Sequence, residues 1–168
     1  MNNFELYNPV NYVFGKDQTQ KLATLVPKNA KVLIAYGGGS IFINGVYDQV
    51  KAALQGFEIV EFGGIEPNPR FETLMKAVQI IREQKITFIL AVGGGSVIDG
   101  VKFISGAVNY EGDAIEILKK RVLFTDISKV IQLTEQPEES ALWGSFYWYL
   151  SATNPQMRES LKDLAYDT

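Results

Sequence analysis

Histidine and cysteine are both missing from the 168 residues. Without cysteine there can be no disulfide and no thiol chemistry, which fits a cytoplasmic protein. Without either residue, no Ser-His-Asp or Cys-His arrangement can be assembled. A lysine or carboxylate base remains conceivable for acid–base work, but no paired constellation stands out, so no catalytic residue is assigned. Excess charge is also scarce: a net charge of −3 gives no reason to expect nucleic acid or an anionic membrane as partner. No apolar run is long enough to span a membrane, and nothing reads as a signal peptide. The Walker pattern is missing too, because neither glycine-rich loop is followed by Lys-Ser or Lys-Thr in frame, which argues against nucleoside triphosphate hydrolysis.

What is present is a chain with 46% apolar residues, enough for a packed domain with or without an appendage. Phe88-Ile89-Leu90-Ala91-Val92 suits a strand covered on both faces, as in a parallel sheet. It breaks on Gly93-Gly94-Gly95 and restarts as a helix, with Ser96 expected as its cap and Val97, Val101, Ile104 and Val108 as its packing face. Free N–H groups in the first turn and the positive end of the helix dipole make a phosphate the natural guest there, although one such loop alone is equally well only a turn. The same grammar occurs earlier, where the strand Lys31–Tyr36 runs into Gly37-Gly38-Gly39-Ser40 and a helix. Two such loops on one edge of a parallel sheet could hold two phosphate regions of one dinucleotide.

Between and around these loops the pattern alternates strand and helix. Phe4–Tyr7 and Asn11–Phe14 are candidate edge strands. A helix is expected from Asp17, its cap, to Leu25. The helix after the first loop carries Val46, Val50, Ala53 and Leu54 on one stripe and ends at Gly56. Phe57–Phe62 alternates apolar and acidic residues, as an edge strand does. Two prolines keep Gly63–Pro69 out of helix. Helix resumes near Arg70, with Leu74, Met75, Val78 and Ile81 facing the core. This order predicts an α/β fold, a doubly wound parallel sheet (Rossmann-like), with a helical C-terminal tail.

Phe14-Gly15-Lys16, the first GGGS loop, the run Glu61–Pro69 and, above all, Gly93-Gly94-Gly95-Ser96-Val97-Ile98-Asp99-Gly100-Val101-Lys102 resemble the N-terminal domain of the iron-containing (group III) alcohol dehydrogenases. The likeness is strongest to the branch of NADP-dependent butanol dehydrogenases and aldehyde reductases. It covers about residues 1–130 and implies an NAD(P)-binding domain of an alcohol/aldehyde oxidoreductase. Carried onto this chain, Gly94, Gly95 and Ser96 would take the cofactor pyrophosphate. Asp99 would lie toward the ribose and nicotinamide, or simply complement the helix N-terminus. Lys102 could reach a phosphate or ribose oxygen, or be solvated. An acidic residue in the first loop would favour NAD. Gly37, Gly38, Gly39 and Ser40 stand there instead and, with Asn68 as a neutral donor, suit the 2′-phosphate of NADP.

Beyond this point the family pattern brings a threonine-rich loop over the adenine, then a helical domain whose one aspartate and three histidines bind the catalytic metal. A chain without histidine cannot build that site, so no metal is expected on it and the enzyme reads as truncated. Residues 1–130 are expected to form the dinucleotide-binding domain. Residues 131–168 are expected to form a helical, aromatic-rich tail, packed on that domain or on a partner. Within and before that tail, Asp113–Lys120 reads as a helix and Lys129–Leu133 as a strand. Glu138–Leu150 carries Trp143, Phe146, Tyr147, Trp148 and Tyr149 on more than one face, and Asn154-Pro155 opens a last helix. Three roles remain: a cofactor domain whose catalytic half is absent or replaced, a non-enzymatic nucleotide-binding module, and an assembly domain working through the aromatic tail, including as a homo-oligomer.

Overall fold

In the computed structural model, which describes residues 13–120 and 130–133, the two apolar runs are neighbouring strands. β1 (Lys31–Tyr36) and β3 (Phe88–Val92) lie side by side. β2 (Glu58–Phe62) and β4 (Val130–Leu133) flank them, giving the order β2-β1-β3-β4 with every pair parallel. Side chains alternate across the sheet, so both faces must be covered. Val32, Ile34, Phe88, Leu90 and Val92 pack against Leu22 of α1 (Leu22–Leu25), Ile41 of α2 (Ser40–Ile43) and Val50 of α3 (Val46–Ala53). Leu33, Ala35, Ile89 and Ala91 meet α4 (Phe71–Gln84), α5 (Gly95–Ala107) and α6 (Ile115–Lys120). The sheet is doubly wound, as expected.

Val32–Ala35 of β1 and all of β3 are buried, because helices cover both faces of these strands and neighbouring strands both edges. β2 alternates as its sequence does, with Glu58 and Glu61 exposed and Lys31 pairing with Glu58 across the strands. α5 buries much more than one stripe: Ile98, Gly100, Phe103, Ser105 and Ala107 are buried besides Val97, Val101 and Ile104. It packs against α4, β1, β3 and β4, so a single-face expectation underestimates its contacts. Arg82 near the end of α4 donates to the carbonyls of Ala107, Val108 and Tyr110. The guanidinium thereby satisfies the carbonyls that the C-terminus of α5 leaves open.

Several local expectations change. The helix after the first glycine loop is two helices, because Gly45 sits at φ +81° between α2 and α3, and Asn44 Oδ1 accepts the Val46 N–H at 3.2 Å. Asp17 does not cap: its φ of 60° is left-handed and its side chain makes no cap bond, whereas a capping side chain needs extended backbone. A 3-10 turn, Gln18–Lys21, precedes α1 in place of one continuous helix. Val13 and Phe14 form no strand, and Phe14 is exposed. Phe4–Tyr7, the rest of the second candidate strand, and the helices expected at 138–150 and from 154 lie outside the described residues. β4 carries the sheet past residue 130, so Ile131–Leu133 are strand, not helical tail.

Leu90 is fully buried, and truncating it leaves a cavity between helix-covered faces. Leu90→Ala should lower the unfolding free energy by about 2–5 kcal/mol, while Leu118→Ser, at a side chain 52% exposed, should change it by less than about 0.5 kcal/mol. Urea unfolding of the two variants beside the parent checks the difference.

Candidate functional site

The chain leaves β1 for β2 on one side, then returns past β1 to β3 on the other. Between β1 and β3 the winding reverses, and open α/β sheets bind ligands outside the carboxyl ends of such strands. Tyr36 and Val92 are paired across these ends, so both glycine loops leave the sheet side by side. One side chain spaces them. A Cβ on Gly37 would stand 3.5 Å from Val97 Cγ2, and one on Gly93 would stand 2.8 Å from the same methyl. Gly93 also has a φ of +154°, which a side chain rarely adopts.

The remaining loop glycines differ in what surrounds them. Gly38 and Gly94 have no heavy atom within 4 Å of the position a Cβ would take. Gly39 is left-handed, with a φ of +97°, and Ser40 is the exposed first residue of α2. Gly94 is the N-cap of α5 in extended backbone, and its carbonyl accepts from Val97 and Ile98 N–H at 3.0 and 3.1 Å. Ser96 is therefore not the cap: it lies inside the first turn, and no side chain makes the cap bond. The Gly95 and Ser96 N–H groups have no preceding helical carbonyl to bind, which leaves them for an anion at the helix end.

Asp99 and Lys102 follow on α5. The Asp99 side chain is 56% exposed, whereas that of Lys102 is 11% exposed, with 3.9 Å between Asp99 Oδ1 and Lys102 Nζ. Lys102 is thus not solvated. Its Nζ is buried with no hydrogen-bond partner among the described residues, and burial, partly opposed by the Asp99 charge, pushes its pKa down to about 8. Asn68 is exposed with a φ of 55°. Its loop is tied to the first glycine turn by Gly64 N–H to Gly37 O and Ile65 N–H to Tyr36 O, at 3.0 and 3.2 Å. Pro69 of the same loop packs against Gly100 of α5.

Sequence spacing missed three features. Helical spacing puts Val97 on the packing face of α5 but gives no sign that it touches both loops. Glu66 accepts from the Thr73 hydroxyl at 2.8 Å, holding the 63–69 loop to the start of α4. Backbone N–H groups of Glu66 and Arg70, together with that hydroxyl, keep the Glu66 carboxyl below its usual range. Tyr36, Phe42 and Tyr47 form an aromatic cluster beside the first loop. Their spacing fits no single helical or strand period, because three different elements contribute them. Among the described residues no three acidic side chains gather to hold a metal, so the iron of the resembled family has no donor set within them. A surface hollow of about 470 Å³ along α4, lined by Met75, Val78 and Arg82 among others, touches neither glycine loop.

Fold and loops together define a doubly wound, Rossmann-like α/β domain with paired glycine turns at its switch point. The sequence profile described as iron-containing alcohol dehydrogenase matches residues 9–135, and the chain belongs to that family. It is 59% identical over 110 residues to the NADPH-dependent aldehyde reductase YqhD of Escherichia coli K12, covering 66% of this chain and 28% of that protein. With the probable NADH-dependent butanol dehydrogenase 1 of Bacillus subtilis it shares 47% identity over 160 residues, 94% of this chain and 38% of the relative. That match extends into the segment past residue 131 for which the sequence alone suggested no relative. Solved structures agree in fold. A cofactor-free form of E. coli YqhD superposes with a TM-score of 0.78 at 49% identity, over 81% of this chain and 37% of the other. The NADH-dependent butanol dehydrogenase A of Thermotoga maritima gives 0.75 at 37% identity, over 79% and 34%. The chain spans about a third of the length of the curated relatives named here.

Two predictions follow from the geometry. Gly93→Ala should destabilise by about 1–3 kcal/mol, and Val97→Ala in the same chain should recover only part of it, since the backbone strain stays; chemical denaturation reads both. Lys102 loses its proton near pH 8 in the folded chain against an ordinary value of 10.5. Between those values the unfolded chain binds more protons, so stability should rise from about pH 8 to 10. Tyr47 acts oppositely at higher pH. Its hydroxyl donates to Glu61, which raises its pKa to about 12, so that contribution is complete below pH 10 and is lost above it. Lys102→Met should melt higher at pH 7 and flatten the rise between pH 8 and 10.

Proposed function

We propose that this chain is the NAD(P)-binding domain of an alcohol/aldehyde oxidoreductase and takes NADP in preference to NAD. The observation that carries this is the pair of glycine loops leaving adjacent, paired strand ends at the switch point, with open space above Gly38 and Gly94. A pyrophosphate suits the second loop: Gly94, Gly95 and Ser96 offer N–H groups at the α5 N-terminus, with open space at Gly94. Gly37, Gly38, Gly39 and Ser40 offer neutral donors and no carboxylate, which suits a 2′-phosphate, with Asn68 as an additional donor from the adjoining loop. Asp99 then faces the ribose and nicotinamide side. Lys102, whose ammonium has no hydrogen-bond partner among the described residues, binds a phosphate or ribose oxygen. YqhD, named as NADPH-dependent, supports the NADP preference; relatives named as NADH-dependent show that the family uses both cofactors.

When bound, the reduced nicotinamide supplies the hydride for an aldehyde carbon. This chain's own part is to hold, orient and neutralise the cofactor's phosphates. A metal site of one aspartate and three histidines would need donors that these 168 residues do not contain, so we assign the chain the cofactor-holding role and residues 1–130 the domain that performs it. A cytoplasmic location, and a homo-oligomer contact through the aromatic residues 143–149, belong to the same proposal. The first rests on the missing cysteines and on the absence, among the described residues, of a helix able to cross a membrane. Turnover of an aldehyde with added metal separates an enzyme fragment from a nucleotide-binding module without catalysis.

Titration with NADPH and NADH, followed by nicotinamide fluorescence and melting temperature, tests the proposal. Both should saturate, NADPH at lower concentration, and the melting shift should follow ligand concentration by mass action. Gly94 is extended and unobstructed, so Gly94→Val should keep the parent's melting temperature yet weaken NADPH binding by at least about tenfold, or 1.4 kcal/mol. Failure of the parent to bind either nucleotide, or unchanged affinity in Gly94→Val, refutes it.

A further inference from the structure

Asn68 holds a backbone conformation that its neighbours disfavour. It lies between Pro67 and Pro69, and a residue before proline is pushed toward extended backbone. Its φ is nevertheless 55°, in the left-handed region that costs any residue with a side chain free energy. Such strain persists only where the surroundings impose it, and it gathers at ligand clamps. The Asn68 side chain is exposed and makes no hydrogen bond among the described residues, so no bond of its own maintains the conformation. The restraint comes from either side. Gly64 and Ile65 are tied to the first glycine turn, and Pro69 sits against Gly100 of α5. Between these anchors Glu66 reaches over the strained residue. Its carboxylate accepts from the Thr73 hydroxyl at 2.8 Å and from the N–H of Arg70, the N-cap of α4. Pro67, Asn68 and Pro69 are thus enclosed in a ring that one side chain closes. The carboxylate also complements the positive end of α4, where Arg70 makes no side-chain cap bond.

We propose that Glu66 is a positioning residue for cofactor choice: bonded to Thr73, it holds Asn68 in the left-handed conformation from which its amide reaches the 2′-phosphate of NADP. The inference rests on the NADP preference proposed above and names what enforces it. Glu66 itself contacts no ligand atom in this role; its charge faces the start of α4, away from a phosphate it would repel. With the Thr73 bond cut, Asn68 relaxes toward the extended backbone usual before proline, a change in φ of more than roughly 100° that carries its amide away. NAD has no phosphate at that position, so the loss falls on NADPH alone. One hydrogen bond to a charged group at an exposed loop is worth about tenfold in affinity. Because the clamp orders the loop before the ligand arrives, the bond is made without a further ordering cost.

The test measures dissociation constants for NADPH and NADH, beside melting temperature, on the full chain. Asn68→Ala removes the amide and should lower the preference for NADPH over NADH about tenfold. Thr73→Val and Glu66→Ala break the clamp from its two ends, away from any ligand contact. Each should lower the preference about 3- to 10-fold and leave NADH affinity unchanged. Thr73→Ser keeps the hydroxyl and Glu66→Gln keeps an oxygen to accept from it, so both should retain the parent's preference. A merely structural bond would move the melting temperature without moving the preference. If Asn68→Ala loses preference while folded Thr73→Val and Glu66→Ala keep it, the positioning role is overturned and the NADP reading stands. Equal weakening of both nucleotides in the two clamp variants signals general disruption and also overturns the role. So does a loss in Thr73→Ser or Glu66→Gln as large as in Thr73→Val, because the hydrogen bond is then not the cause. If the parent binds neither nucleotide, or binds both equally, the cofactor reading fails and the clamp proposal fails with it.

Discussion

Everything at the open end of the sheet depends on how closely two backbone turns approach one methyl group. Tyr36 and Val92 bring β1 and β3 to the same level, and Val97 fills the space against Gly37 and Gly93. A side chain at Gly93 would collide with Val97, and either the loop or the start of α5 would have to move. Glycine here secures proximity and direction more than flexibility. It lets α5 begin directly beneath the strand end, so that its unpaired N–H groups open into the crevice between the strands.

Rigidity reaches the loops from beneath. β1 and β3 are paired on both edges and covered on both faces, leaving the loops few ways to shift without disturbing a close-packed core. The loop 63–69 is braced twice, by backbone bonds to Tyr36 and Gly37 and by the Glu66–Thr73 hydrogen bond. Arg82 closes the far end of α5 with three carbonyl contacts. The helix proposed to offer its N-terminus to a ligand is consequently fixed at both ends.

The doubly wound sheet was legible because unbroken apolar runs, alternating acidic residues in β2 and glycine stops have direct backbone meanings. The fourth strand was also foreseen at 129–133, though a boundary drawn at residue 130 cut through it. Caps were less legible. Asp17 and Ser96 have capping side chains, but the cap bond depends on the φ and ψ of a single residue, and in each case the backbone adopted another conformation. The division between α2 and α3 had a visible signal in Asn44-Gly45, overlooked beside the longer apolar stripe. Contacts among Tyr36, Phe42 and Tyr47, or of Val97 with both loops, join residues from separate elements, and no periodicity reports those. All ten candidate site residues lie on the two glycine loops, on α5 or on the adjoining 63–69 loop, since the topology itself groups them. The sequence did not indicate that Lys102 would be buried.

That burial suggests how stability and function trade against each other. An ammonium held out of water without a hydrogen-bond partner costs the fold free energy, and among the described residues only Asp99, itself largely solvated, pairs with it to offset that cost. A purely structural position would favour methionine or leucine there. If the crevice takes an anionic dinucleotide, the unfavourable charge becomes a pre-desolvated partner for a phosphate or ribose oxygen. Its interaction is then stronger than that of a surface lysine, because the cost of removing water was met during folding. The neutral first loop works differently. It contributes no cation in Gly37–Ser40, so under the proposed NADP preference a 2′-phosphate would be tolerated there through the absence of a repelling carboxylate and through backbone donors. On that proposal one end of the ligand would be attracted by charge and the other admitted by shape, and variation in the first loop would change cofactor preference without disturbing the proposed pyrophosphate site.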